Sequence, residues 1–302
     1  MQMSKRISAV LLATMFGACL HAHTCSAAVI DLGDAADFLF LAMTDGTDGG
    51  SITISSSSSA TGKLGIGPSG SYDKSGTGDV IGNVLLAPGV TTAISGTGSP
   101  GTLIPNSDLT QAIADALQAS QDISLLASTQ VFIDITNSQT IIGNGGLNVI
   151  SLNSIGLGGS DALTLSGGAA DFFIFNVAAG FDMGGSSDIL LSGGALASHV
   201  LFNFSTAGSD LGISASGIGL GTILAPHRDF VLHGALVNGA ILANDIRVTS
   251  GGVANQVSFE TPQDGEEEPP TTPVIPEPST LSLMGLGLAA ASGLIRRTFR
   301  QS

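Results

Sequence analysis

The chain has no tryptophan and a single tyrosine, Tyr72. Membrane β-barrels carry aromatic girdles at both interfaces, so that architecture is disfavoured despite a mean hydropathy of +0.42. No internal run reaches the ~18 apolar residues of a spanning helix. Cysteine is limited to Cys19 and Cys25, both ahead of the expected leader cleavage point. Disulfides, Cys ligands and thiol nucleophiles are therefore excluded from the mature protein. Bases are scarce as well. From Val29 to Ile275 only Lys63, Lys74, Arg228 and Arg247 stand against 23 acidic residues, a net charge of −19. Such a surface repels phosphate backbones, so nucleic acid is not an expected partner.

What the chain has in abundance is glycine, 42 residues of it, between two ends that read as processing signals. Lys5 and Arg6 precede an apolar stretch from Ile7 to Leu20, and Ser26-Ala27-Ala28 supplies small residues before Val29. This is the pattern of a secretory signal peptide over residues 1–28. At the other end, six of the 11 prolines fall between Pro262 and Pro278, mixed with Glu266-Glu267-Glu268. That composition cannot pack a core, so residues 261–275 read as an extended linker. An apolar segment, 281–295, follows, and Arg296, Arg297 and Arg300 close the sequence. As a helix the segment spans about 23 Å, short of a ~30 Å hydrocarbon core, which suits a transient inner-membrane span with the arginines held on the cytoplasmic side.

The order Pro276-Glu277-Pro278, apolar span, basic cluster closely resembles the PEP-CTERM sorting signal of Gram-negative bacteria. The resemblance covers residues 276–302. It implies an exosortase-type membrane protease as partner, with cleavage near the Pro-Glu-Pro motif.

Between the ends, over 29–260, short apolar runs alternate with Gly, Ser, Asn and Asp, as in Leu163-Thr164-Leu165, Phe173-Ile174-Phe175 and Phe230-Val231-Leu232. Such runs read as strands. One segment reads as a helix, capped by Asn106, Ser107 or Asp108. Leu109, Ala112, Ile113, Ala116 and Leu117 form its apolar stripe through about Gln121. Internal repetition follows three spacings. Gly221-Thr222-Ile223-Leu224-Ala225 returns as Gly239-Ala240-Ile241-Leu242-Ala243, a spacing of 18. Leu163-Thr164-Leu165-Ser166-Gly167-Gly168 returns as Ile189-Leu190-Leu191-Ser192-Gly193-Gly194, a spacing of 26, and Phe175-Asn176 as Phe202-Asn203, a spacing of 27. A β-sandwich also gives short strands with Gly-rich turns, but these periods match the coils of a solenoid. The expectation is an all-β, irregular right-handed parallel β-helix with one α-helix alongside, plus apolar helices in the N-terminal signal and C-terminal tail. Ile223, Leu224, Ile241 and Leu242 are expected in one continuous core, with Ile223 stacked near Ile241.

The body also resembles the bacterial ice-binding and adhesin-like β-helix family and related anchored surface domains. The residues that carry the likeness are Leu163-Thr164-Leu165, Asp171 to Phe175, Val200 to Phe204, Gly221 to Pro226 and Asn238 to Ala243, with Ile81 to Gly89 matching an N-terminal coil. These are mostly core and turn positions, so the resemblance bears on fold rather than activity.

Chemistry-bearing patterns are few. The body's histidines are His199, His227 and His233, and His227-Arg228-Asp229 reads as an exposed turn rather than a kinase catalytic loop. A polysaccharide-cleaving site would need Arg228, Asp229, Asp245 and Arg247 to converge. Gly65 to Gly70 and Gly96 to Gly101 match G-x-G-x-x-G, yet each contains Pro and neither opens directly into a helix. Asp45-Gly46-Thr47-Asp48 lacks the spacing and distal Glu of a Ca²⁺ loop. Ser55 to Ser59 reads as a flexible or edge segment. Ice binding needs a flat face of regularly spaced small hydroxyl and methyl groups, with evenly spaced Thr-x-Thr rows its clearest sign, and the sequence offers isolated Thr-x-Ser and Ser-x-Ser steps. No catalytic, cofactor-binding or metal residue is assigned, and no cofactor is expected. The expected function is a non-enzymatic cell-surface or extracellular-matrix protein, an adhesin or a scaffold associated with exopolysaccharide or another surface ligand. The alternatives are an ice-binding protein and a carbohydrate-active enzyme.

Overall fold

A computed structural model describes residues 30–44, 49–214 and 216–262, leaving the side chain of Ile218 aside. The expected signal peptide, nearly all of the linker, the sorting motif, the apolar span and the Asp45–Asp48 segment lie outside the described residues. The structure is a parallel β-helix. Every strand pairing is parallel, and the strands stack in three ladders. Two ladders belong to one 15-stranded sheet, joined where the long strands Ile218–Ala225 and Leu236–Ala243 bend around a corner. The third ladder is a separate nine-stranded sheet.

The repeats are the register itself. Ile223 pairs with Ile241, Leu163 with Ile189, and Phe175 with Phe202. The two Phe rings stack with centroids 4.5 Å apart. Gly221 adopts φ +98°, and a Cβ on Gly239 would run into the carbonyl of Gly221, so the corner demands glycine in both copies of the shortest repeat.

Coil order along the axis departs from chain order. Phe40–Ala42 pairs on one side with Leu64–Ile66 and on the other with Leu236–Ala243. Ser51–Ile54 pairs with Ile246–Thr249, and Ser59–Thr61 with Val253–Gln256. The N-terminal coils thus seat on the C-terminal coils through main-chain bonds such as Ile241 N to Leu39 O, 2.7 Å, and Met43 N to Ala243 O, 2.8 Å. Ser59 is therefore no edge residue, because its strand is paired on both sides and Ser58 is fully buried.

Helix α1 (Thr110–Ser124) carries the chain from the N-terminal stack back towards the opposite end. Its 15 residues cover about 22 Å, or four to five coils at ~4.8 Å each. Asp108 accepts a hydrogen bond from Thr110 N at 3.0 Å at its start. Ala112, Ala116, Ala119 and Ile123 bury against Leu41, Ile174, Leu201, Leu224 and Leu242, which point outward from the first ladder. Leu224 and Leu242 are buried as expected, but in this second core under the helix, while Ile223 and Ile241 line the β-helix interior. A polar ladder fixes the helix position. Ser120 Oγ donates to Asn203 Oδ1 at 2.6 Å, and Asn203 Nδ2 donates to Ser120 O and to Asn176 Oδ1. Asn176 Nδ2 donates to Ile123 O at 2.8 Å.

The interior column of the third ladder runs Met183, Ile213, Leu232, Val248, Ile54, Lys74, Ile94. Lys74 is the exception in an apolar column. It is fully buried, and its ammonium donates to Ser75 O at 3.3 Å. Burial lowers its pKa and the charge of Asp79 partly opposes that.

Candidate binding face

The three sides differ in what they leave free. The first lies under α1. The second alternates apolar and small residues, with Thr164, Leu190, Leu236 and Val253 pointing out. The third is open along all nine strands, because none of its outward residues is buried.

On that third side the N-terminal coils build columns of small residues, most of them hydroxyls. Ser51, Ser71 and Thr91 stand in register, and Thr53, Asp73 and Ala93 form the next column. Ser55, Ser75 and Ser95 follow, each bonded through its N–H to the preceding coil. A search for Thr-x-Thr within one strand misses this array. The signal that reveals it is a repeat with a period of 20, Ser51-Ile52-Thr53-Ile54-Ser55, Ser71-Tyr72-Asp73-Lys74-Ser75, Thr91-Thr92-Ala93-Ile94-Ser95. Adjacent hydroxyls sit ~4.8 Å apart between coils and ~6.7 Å along a strand.

The array is interrupted by charge. Arg247 is exposed beside Thr53, in register with it. Further along, Gly212 leaves a gap between Asp182 and Val231, opening a shallow groove of about 420 Å³. Asp182, Asp210, Ser214 and His233 line it. The His233 ring shares a hydrogen bond with Thr249 Oγ1 through Nδ1, at 3.0 Å.

The other singled-out residues lie apart. His227 is exposed, whereas His199 is buried, stacked on Phe172 and 3.1 Å from Glu260 through Nε2. Among the described residues no three His, Cys, Asp or Glu side chains form a group able to hold a metal. The triplet at 227–229 is a turn, but Arg228 is not exposed as expected. Only 3% of it reaches solvent. Its guanidinium donates to Thr206 O at 2.7 Å, to Ala178 O at 2.9 Å and to Ala179 O. The turns at 178–179 and 206 wrap around it, and the charge is satisfied by carbonyls rather than a carboxylate. Asp229 accepts from Asn244 Nδ2 and Asp245 from Ser51 N. Arg228, Asp229 and Asp245 are thus each held by other partners, and Arg247 stands exposed on the third side.

Residues 33–255 match the model of the ice-binding-like adhesive domain. The chain belongs to that family. Residues 274–297 match the PEP-CTERM protein-sorting motif, which implies export, processing by exosortase and a cell-surface or extracellular location. No curated protein matches. Among solved structures, the chain is similar to the ice-binding protein LeIBP from an Arctic yeast, at 17% identity and TM-score 0.53, covering 77% of this chain and 96% of that one. It is also similar to an ice-binding protein from an Antarctic Flavobacteriaceae bacterium, at 19% identity and TM-score 0.52, covering 78% of this chain and 48% of that one. At these identities the likeness establishes the shared fold. For this member of the adhesive-domain family the fold leaves one side of the β-helix open and loads it with hydroxyls, several acids, a base and a histidine.

Proposed function

We propose that the protein is a non-enzymatic adhesin or matrix scaffold that holds exopolysaccharide, or a similarly hydroxyl-rich surface, on the third side of its β-helix. Residues 1–28 are removed on export, and the tail is cut near Pro276-Glu277-Pro278 once the span 281–295 has held the chain at the inner membrane. The observation that carries the reading is the open nine-stranded side, with its columns Ser51–Ser71–Thr91 and Thr53–Asp73–Ala93 beside Arg247, Asp182 and His233. Hydroxyls, carboxylates and a guanidinium on rigid strands match the donors and acceptors of a sugar polymer. Co-sedimentation of the exported protein with the host's extracellular polysaccharide tests this. Thr53→Tyr with Thr91→Tyr should weaken binding at least tenfold and leave thermal unfolding unchanged. Undiminished binding by that variant would refute the assignment of the face. The reading includes no bond-breaking step, so polymer length should stay constant during incubation, and released reducing ends would overturn it.

The same hydroxyl columns favour a second reading, ice binding, since their regular spacing is what a lattice requires. Asp73 and Arg247 stand within the array and weigh against it. Thermal hysteresis that the same two tyrosines abolish would move the assignment to ice.

A further inference from the structure

Among the described residues, no strand pairs beyond either end of the β-helix. Strand Thr91–Ile94 closes the nine-stranded sheet at one end and Asp134–Ile135 at the other. Among the described residues, Pro100–Pro105 pairs only with Val80–Leu86, Gln130–Val131 only with Leu147–Leu152, and Gln139–Ile142 only with Ala162–Ser166. Most of the exposed large apolar side chains gather at these same ends. Ile81, Ile94, Leu103 and Ile104 lie at one, and Val131, Ile133 and Ile142 at the other, the last three 70–83% exposed.

Charge is sparse where edges are ordinarily protected by it. In a stretch, 29–275, of net charge −19, no charged residue occurs from Val80 to Ser107, and Asp134 is the only one from Ile123 to Ser160. Pro100 and Pro105 blunt part of one edge, and the other has no proline. Two ends of this kind do not repel each other, and each exposes the surface that the interior coils bury against their neighbours.

The molecule itself contains the junction such ends would form. Its N-terminal stack and its C-terminal coils, remote from one another in sequence, dock by parallel pairing of Phe40 with Ile241, Ile52 with Ile246 and Ser59 with Val253. All strands run in one direction. A second copy displaced along the axis therefore offers Asp134–Ile135 to Thr91–Ile94, and Gln130–Val131 with Gln139–Ile142 to Pro100–Pro105, in the same parallel sense. A two-fold arrangement of like ends would set the strands antiparallel and lose this match.

We propose that the protein self-associates head to tail through its two β-helix ends, forming open filaments of stacked copies. Heterologous contacts that do not close into a ring generate such filaments. The proposal holds whatever ligand the third side takes, and stacking would place many copies of that side in one line. The test is analytical ultracentrifugation of the exported protein over micromolar to millimolar concentrations. The mean mass should rise with concentration, with elongated oligomers visible by small-angle scattering. Ile94→Lys with Ile104→Lys blocks one end, and Ile133→Lys with Ile142→Lys blocks the other. Each variant alone should remain monomeric, and an equimolar mixture should form dimers and nothing longer, because one intact end of each kind is present. Where the lysine variants fail to fold, the serine substitutions at the same four positions serve. A wild-type chain monomeric throughout, a single-ended variant that assembles like wild type, or a mixture that forms no dimer would each overturn the proposal.

Discussion

Replacing Arg228 with Ala should destabilise the C-terminal half of the body substantially. The guanidinium is almost wholly buried and donates to three main-chain carbonyls, at Thr206, Ala178 and Ala179, with Thr206 Oγ1 a further partner at 3.3 Å. Its carbon also sits over the Phe204 ring, 5.6 Å from the centroid. Hydrogen bonds from a charged donor contribute about 1.5–3 kcal/mol each, but they do not add here. Residues 178, 179 and 206 are exposed, so their carbonyls regain water once the arginine is gone. The net cost should be about 3 kcal/mol, and a domain of this size should lose roughly 6–12 °C in Tm. Arg228→Met retains the apolar stem and loses the bonds, so it should fall between wild type and Ala. Arg228→Lys keeps a charge but not the fork that reaches separate carbonyls. Urea and thermal unfolding of the three variants measure this, with hydrogen exchange at 205–210 reporting whether that loop opens first. An Arg228→Ala chain within ~0.5 kcal/mol of wild type would refute the reasoning, since surface turn residues behave that way.

Asp171 should make stability pH-dependent in acid. Burial alone would raise its pKa, but hydrogen bonds from Asn148 and the N–H groups of Gly168, Gly145 and Gly146 outweigh that and hold it below the usual carboxylate value. Its folded pKa is thus depressed, so its stabilisation is present above about pH 4 and is lost as pH falls through the folded value. Asp171→Asn should cost about 2 kcal/mol at pH 7 and flatten that acid slope, as read by urea unfolding from pH 7 to 2.5. Asn203→Ala should cost about 2–3 kcal/mol and speed amide exchange in α1 before the strands, because it unpairs Ser120 and Asn176 together. Lys74→Met should stabilise by about 1–2 kcal/mol, since an apolar chain of similar length replaces a buried ammonium. The gain should shrink at high pH, where the wild-type amine, its pKa lowered by burial, enters the core neutral. Replacing Pro276, Glu277 and Pro278 with Ala should leave export intact and trap full-length chain in the membrane. Mass spectrometry of the extracellular wild-type C-terminus should find Phe299 and Arg300 absent, and finding them would refute processing.

The parts of this fold legible in the sequence are those that repeat. A solenoid writes its axial neighbours into spacing, so Ile223 and Ile241, one short coil apart, and Phe175 and Phe202, one longer coil apart, meet in register. Spacing says nothing of which coils meet without being consecutive. The seating of Phe40 on Ile241 depends on α1 returning the chain along the outside, and no local pattern encodes it. The outward Leu224 and Leu242 are indistinguishable from interior residues for a related reason. A strand covered on both faces loses its alternation, and only the helix stripe of Ala112, Ala116 and Ala119 indicates that a second cover exists.

Polar residues are harder still to read, because their partners are main-chain groups from remote turns. Arg228 sits in the most polar triplet of the body and reads as exposed, yet its partners are carbonyls of distant turns that carry no side-chain signature. The hydroxyl face is hidden in the opposite way. Its elements are visible as single Ser-x-Thr and Thr-x-Ala steps, each too short to stand out from a Ser- and Gly-rich background. They become a surface only when successive coils are stacked, so that Ser51, Ser71 and Thr91 form one column. In a β-helix the binding array runs across the chain rather than along it. The period of the coil therefore has to be found before any face can be read.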